Sequence, residues 1–208
     1  LPIELAEGQF AESIADLNRL FELARRQGYE GIVAKLPDAP YLLAQRSPAW
    51  LKRKPIVTLD FVLTGAFFAV ESAQARTFNP WLISAYESNT RRQLVPVGTV
   101  AGLGRSETEA LVRLIAQHGL MTGRRLVHRG SSGSQPGVEL RPYITVTAKF
   151  EAIVDAKDAA PLVEGIETPS PYTLRSPQIV HIRVDEKAAT EAATLEDLRA
   201  MHVAQRFS

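Results

Sequence analysis

One capped helix set into a run of strands constrains this chain most. Leu59-Asp60-Phe61-Val62-Leu63-Thr64-Gly65-Ala66-Phe67-Phe68 and Trp81 to Tyr86 carry the β-branched and aromatic enrichment of strands, and Leu94 to Val100 continues the pattern. Ser106-x-x-Glu109 then reads as a capping box opening a helix through Leu111, Leu114 and Ile115, closed by Gly119. Strand texture resumes at Ile144 to Val154 and at Gln178 to Val184. About five strands with one helix between the early and late ones is the order of a small Greek-key barrel. Phe67, Phe68, Trp81 and Tyr86 are assigned to its core rather than to an exposed stacking platform. Residues 129–137, Arg-Gly-Ser-Ser-Gly-Ser-Gln-Pro-Gly, read as a low-complexity loop. Thr194-x-x-Asp197 reads as a second N-cap, before a short helix with Leu195, Leu198 and Met201 on one side.

The texture is different before residues 55–58. Phe10, Ile14, Leu17, Phe21 and Ala24 recur at helical spacing, with Arg25 and Arg26 in the last turn and Gly28 after it. This helix delivers the chain into Tyr29-Glu30-Gly31-Ile32-Val33-Ala34-Lys35. A Pro- and Asp-bearing turn over 36–41 and a polar connection over 42–47 lead to a short strand at 49–54, Ala-Trp-Leu-Lys-Arg-Lys. Period two puts Trp50, Lys52 and Lys54 on one strand face. Two ammonium groups on one face repel unless an anion lies between them, and phosphate suits. An acid beside a strand glycine is most often an exposed edge residue. The functional reading of Glu30 is an oxygen ligand for a hard divalent cation such as Mg²⁺. Simple alternation puts Lys35 on the face opposite Glu30, unless a bulge intervenes.

Composition narrows the classes. Hydrophobic content of 45% and charged content of 23% are those of an ordinary globular protein. A net charge of +1 advertises no nucleic-acid partner, so any basic surface must be local: Arg46 with Lys52, Arg53 and Lys54, then Arg124, Arg125, His128 and Arg129. With no cysteine, disulfides and cysteine-rich zinc sites are excluded. No apolar run approaches ~18 residues, so no membrane helix is expected. Leu1-Pro2-Ile3-Glu4-Leu5 resembles neither an initiator nor a signal peptide, and the chain is expected to be truncated there.

The pair E-G-x-V-x-K (Glu30 to Lys35) and W-L-K-x-K (Trp50 to Lys54) resembles motifs IV and V of the ATP-dependent DNA ligases, in the covalent nucleotidyltransferase superfamily. Asp60 to Ala66 is similar to the strand that opens the ligase OB domain, and Val97 to Gly104 to its V-G-x-V-x-x-G segment. Ile182-Arg183-Val184-Asp185-Glu186-Lys187 with Glu191 to Glu196 resembles motif VI and the stretch after it. The resemblance implies an α+β chain: residues 1–56 as the C-terminal part of an adenylation domain, and 57–208 as an OB-fold β-barrel.

The activity it implies is sealing of nicked double-stranded DNA through lysyl-AMP and DNA-adenylate, in repair, replication or recombination. ATP and Mg²⁺ are the implied cofactors. Glu30 would hold the metal, and Lys52 and Lys54 the phosphates. Lys35 and Lys187 would also contact the nucleotide, and Arg183 would serve in catalysis. A monomer without membrane association is expected, cytoplasmic or nucleoid-associated in a bacterium and nuclear in a eukaryote. An RNA ligase or capping-type nucleotidyltransferase, or a non-catalytic OB-type nucleic-acid-binding module, are the alternatives.

Several positions depart from the family pattern. Arg183 lies four residues before Lys187, where the family has three, so either Val184 or Glu186 stands in a motif position. Thr147 occupies the place of a glutamate, Ser176 of an aromatic and Gln178 of an arginine, and Val70 to Arg76 replaces a Gly/Lys-rich turn. The nucleophilic lysine motif K-x-D-G is absent from the 208 residues, so this piece alone is expected not to adenylate itself.

Overall fold

The computed structural model describes residues 8–40, 42–45, 47–68, 78–130, 133–156, 163–164 and 170–206. They fall into two compact units, Leu1–Pro55 with Arg206–Ser208, and Ile56–Gln205.

The first unit opens with helix α1, Ile14–Arg26. Ser13 caps it by accepting from the Asp16 N–H, and Arg25 and Arg26 lie in its last turn. The expected apolar stripe holds only in part. Phe21 is buried, whereas Phe10 lies before the helix and, like Ile14, is exposed. Strands β1 (Ile32–Lys35) and β2 (Trp50–Arg53) follow as an antiparallel pair, with Ile32 opposite Arg53 and Lys35 opposite Trp50.

The second unit is organised on β3, Val57–Phe68. Its first half pairs with β8 (Thr145–Phe150), and its second half with both β4 (Phe78–Tyr86) and β7 (Gly133–Leu140). β4 pairs with β5 (Leu94–Val100), and β8 with β12 (Gln178–Ile182). A parallel bridge from Ala101 to Gln178, with the Ile179 N–H donating to Ala101 O at 3.0 Å, brings β12 back to the end of β5. Five strands thus curl into a small barrel of OB type. β6 (Met121–Gly130) pairs with β7, and β10 (Val163–Glu164) with β6, while β9 (Ala152–Asp155) and β11 (Tyr172–Arg175) form a separate ladder.

Phe61, Leu63, Trp81, Ile83, Val97, Val146 and Phe150 fill the barrel, with Leu111 and Ile115 of helix α2 (Arg105–Gln117) and Leu198 of helix α3 (Leu195–Arg206). Phe67, Trp81 and Tyr86 are buried, as expected, and Phe68 is partly buried against the core. α2 starts two residues earlier than the Ser106 box implied. Its N-cap is Gly104, whose N–H donates to Glu107 Oε2 at 2.7 Å, while Glu109 pairs with Arg105. The cap of α3 is the expected one: Thr194 N–H donates to Asp197 Oδ2 and Asp197 N–H to Thr194 Oγ1.

The expected loop over 129–137 is a hairpin instead. Gly130 pairs with Gly133, His128 with Gln135 and Leu126 with Gly137, residues 131 and 132 lying outside the described residues. Gln135 drives this. Its amide donates to the carbonyls of Phe68 and Asn79, where β3 ends and β4 begins, and accepts from His128 Nδ1 at 3.0 Å. Buried polar groups must find such partners, which a composition count does not reveal. Val70 to Arg76 lies outside the described residues.

Leu198 is fully buried in the barrel core and Thr194 caps its helix. Leu198→Ala is expected to cost about 2–5 kcal/mol and Thr194→Ala about 1 kcal/mol in urea denaturation. A Leu198→Ala protein as stable as the parent would show that α3 does not close the barrel.

Candidate functional site

Glu30 in the first unit and Asp60 in the second each pair with cations that the sequence singled out. In the first, Glu30 stands just before β1, at a bend rather than in the ladder, so strand alternation does not govern it. Gly31 sets its place. A Cβ on Gly31 would overlap the Arg53 carbonyl oxygen and crowd Lys54 Cα, so the close approach of the two backbones requires glycine. That approach lets Glu30 Oε1 accept from Lys54 Nζ at 2.7 Å.

Cross-strand pairing sorts the remaining side chains. Ile32, Ala34, Leu51 and Arg53 share one face. Arg53 lies 4.5 Å over the Phe21 ring and donates to Asn18, so this face packs on α1. Val33, Lys35, Trp50 and Lys52 share the other, which is exposed. Lys35 sits 4.2 Å over the Trp50 ring, a cation–π contact. The Lys52 ammonium has no hydrogen bond or ion pair among the described residues. Lys35 and Lys52 are thereby brought together, and Glu30 with Lys54. Arg46 lies outside the described residues.

In the second unit Asp60 is the centre. It lies opposite Thr147 in the β3–β8 ladder, so the two side chains share a face. Thr147 Oγ1 donates to Asp60 Oδ1 at 2.5 Å and accepts from Arg183 Nε at 2.7 Å. Arg183 Nε is also 3.4 Å from Asp60 Oδ1, and Lys187 Nζ donates to Asp60 Oδ2 at 2.7 Å. Arg183 Nη1 donates to Glu186, which His181 also contacts.

A bulge in β12 makes this possible. The register with β8 shifts between Ile179, which is in the core, and His181, which pairs with Thr147. The extra residue turns Arg183 to the Thr147 face, while Ile182 and Val184 pack on the core. The N–H groups of Glu186 and Lys187 both donate to Arg183 O, closing a turn that brings Lys187 beside Arg183. With this spacing Arg183 and Lys187 both reach Asp60, Val184 is apolar packing, and Glu186 is a partner of the arginine.

Partial burial pushes the Asp60 carboxyl up. The Lys187 and Thr147 hydrogen bonds, with the charges of Lys187 and Arg183, outweigh it and hold the group below the ordinary carboxylate value. These residues line a pocket of about 350 Å³ with Thr58, Arg91 and Asp197. Sequence pattern places Asp60 in a strand without assigning it as the shared counter-ion; the signal available is that it is the one charged residue of β3. The second basic run does not form an open patch: Arg124 pairs with Glu139, Arg129 with Glu164, and His128 is buried.

Residues 2–54 match the model described as ATP dependent DNA ligase domain. A DNA ligase of Methanococcoides burtonii is 26% identical over 206 residues, 98% of this chain and 32% of the relative. One of Halobacterium salinarum is 33% identical over 181 residues, 86% of this chain and 28% of the relative. The chain is thus similar to DNA ligases along nearly its whole length, and to the ATP-dependent ligase domain over residues 2–54. It spans about a third of the length of these relatives. The solved structure named Pmar-Lig_PreS3 is similar in fold, with a TM-score of 0.50 and 18% identity over 83% of this chain and 32% of that one. No helix among the described residues is long and apolar enough to cross a membrane.

No group of three or more His, Cys, Asp or Glu residues that could hold a metal occurs among the described residues. Glu30 offers one largely exposed carboxylate. That donor set fits Mg²⁺ in its usual manner, one or two carboxylates completed by water and substrate phosphates.

Two outcomes follow from this geometry. Gly31→Ala should separate β1 from Lys54 and speed amide exchange at Leu36, whose N–H donates to Ala49 O at the end of the hairpin; unchanged exchange would contradict the close approach. Asp60 has a lowered pKa, so its stabilisation is present above the unfolded carboxylate value and is lost as pH falls through the lower folded value. The stability gap between wild type and Asp60→Asn should thus be widest near neutral pH and close in acid. A gap independent of pH would contradict the ion pairs.

Proposed function

We propose that this chain is the C-terminal portion of an ATP-dependent DNA ligase, residues 1–56 completing its adenylation domain and residues 57–208 forming its OB-fold domain. The whole enzyme seals nicks in double-stranded DNA as a monomer, using ATP and Mg²⁺. The observation that carries the reading is the β1–β2 hairpin, where Gly31 permits the Glu30–Lys54 pair and leaves Lys35 and Lys52 on an exposed face.

In the first step a lysine nitrogen attacks the α-phosphorus of ATP. The N–P bond forms, the P–O bond to pyrophosphate breaks, and the lysine proton passes to solvent. AMP is then transferred to the 5′-phosphate at the nick, and the 3′-hydroxyl displaces it. Lys52 and Lys54 place positive charge against phosphate oxygens, where negative charge builds up in the transition state. Lys35, held over Trp50, adds a third cation to the nucleotide site. Glu30 would hold Mg²⁺, which supplies charge neutralisation at the phosphates. Arg183 and Lys187 serve the first step. The nucleophile is not among these residues, because no K-x-D-G occurs in the sequence. Binding of single strands by stacking is disfavoured, since Phe67, Trp81 and Tyr86 are buried.

The full-length gene product incubated with labelled ATP and Mg²⁺ should form a covalent AMP adduct. Lys52→Ala with Lys54→Ala should slow its formation by about a hundredfold or more, the range seen when preorganised charge contacts are removed. An adduct formed at the wild-type rate would remove both lysines from the site.

A further inference from the structure

We propose that Asp60 is a positioning residue that sets Lys187 directly, and Arg183 through Thr147, to receive phosphate oxygens of ATP. This rests on the ligase reading above. Arginine and lysine are long and rich in rotamers, and an unsupported pair on a surface would sweep a wide volume. Here three contacts converge on one carboxylate. Oδ2 takes Lys187, while Oδ1 takes the Thr147 hydroxyl and faces Arg183 Nε. Thr147 joins the two by donating to the acid and accepting from the guanidinium.

The contacts use only part of each cation. Arg183 is held through Nε by Thr147 and through Nη1 by Glu186, and Nη2 has no partner among the described residues. Lys187 spends one of its three N–H groups on Asp60. Both cations line the pocket of about 350 Å³, and each remains about one-third exposed. Anchored at one side and available at the other, they are oriented before any anion arrives, and that is where preorganised charge acts most strongly. A surface ion pair serving stability alone would not need a hydroxyl bridge between carboxylate and guanidinium. Nor would it need a strand bulge to turn the arginine toward them.

Thr147 is the residue that departs from the family's glutamate. A second carboxylate beside Asp60 would repel it, whereas the hydroxyl both donates to Asp60 and accepts from Arg183. The departure at Thr147 is therefore part of the clamp.

The test uses the full-length product and two reactions: AMP transfer from ATP to the enzyme, and sealing of a nick already carrying 5′-AMP, in which ATP takes no part. Asp60→Asn should slow AMP transfer about ten- to a hundredfold, as expected for losing charged hydrogen bonds, and leave sealing within about twofold. Thr147→Val should slow the same reaction and Thr147→Ser should restore it. Equal loss of both reactions in Asp60→Asn would mean a purely structural role and overturn the proposal. So would wild-type AMP transfer in Asp60→Asn, or equal behaviour of the two Thr147 variants. A wild-type product that forms no adduct overturns the ligase reading and this assignment together, whereas a normal adduct unaffected by Asp60→Asn overturns the assignment alone.

Discussion

A carboxylate that gives up most of its water must be given cations or lose its charge. Asp60 meets that condition on the strand that organises the barrel. Its backbone carbonyl accepts from Ala193 N–H, tying the segment before α3 to β3. Its side chain gathers Thr147 from β8 and both cations that follow β12. One residue therefore links the middle of the barrel to its last strand and last helix. The core supplies the energy of folding; Asp60 decides where two charged side chains are held while it does so.

The Glu30–Lys54 pair obeys different physics. Glu30 is largely exposed, and exposed ion pairs contribute about 0–1 kcal/mol at most. Three lysines, Lys35, Lys52 and Lys54, lie on or beside a two-stranded ladder with one nearby acid, a placement that stability does not ask for. The charge excess is intelligible if phosphate completes it. A two-stranded ladder is itself marginal in water and depends on what packs against it, here the α1 face reached by Arg53.

Much of this was legible in the sequence. Period-two and 3.6-residue patterns located β1, β2, β3, β4, β5, α1, α2 and α3, because apolar periodicity reports directly on which face is buried. The hairpin β6–β7 was not, since its Gly, Ser and Pro residues resemble a loop and its order comes from Gln135 bonding to distant carbonyls. The cap of α2 was displaced because a glycine backbone N–H, which any residue could offer, took the acidic partner. Spacing singled out Glu30, Lys52 and Lys54 as candidates. It did not single out Asp60, because the cations it holds lie more than a hundred residues away, at separations of 123 and 127 residues by subtraction of their numbers. A bulge, which no periodicity announces, had to turn Arg183 toward it.

In the proposed ligase these residues handle ATP's phosphates while the nucleophile lies elsewhere in the protein. Peptide mass spectrometry of the full-length product after incubation with ATP distinguishes the two roles. AMP is expected on a lysine outside these 208 residues, with Lys35, Lys52, Lys54 and Lys187 unmodified. AMP bonded to any of those four would contradict this assignment.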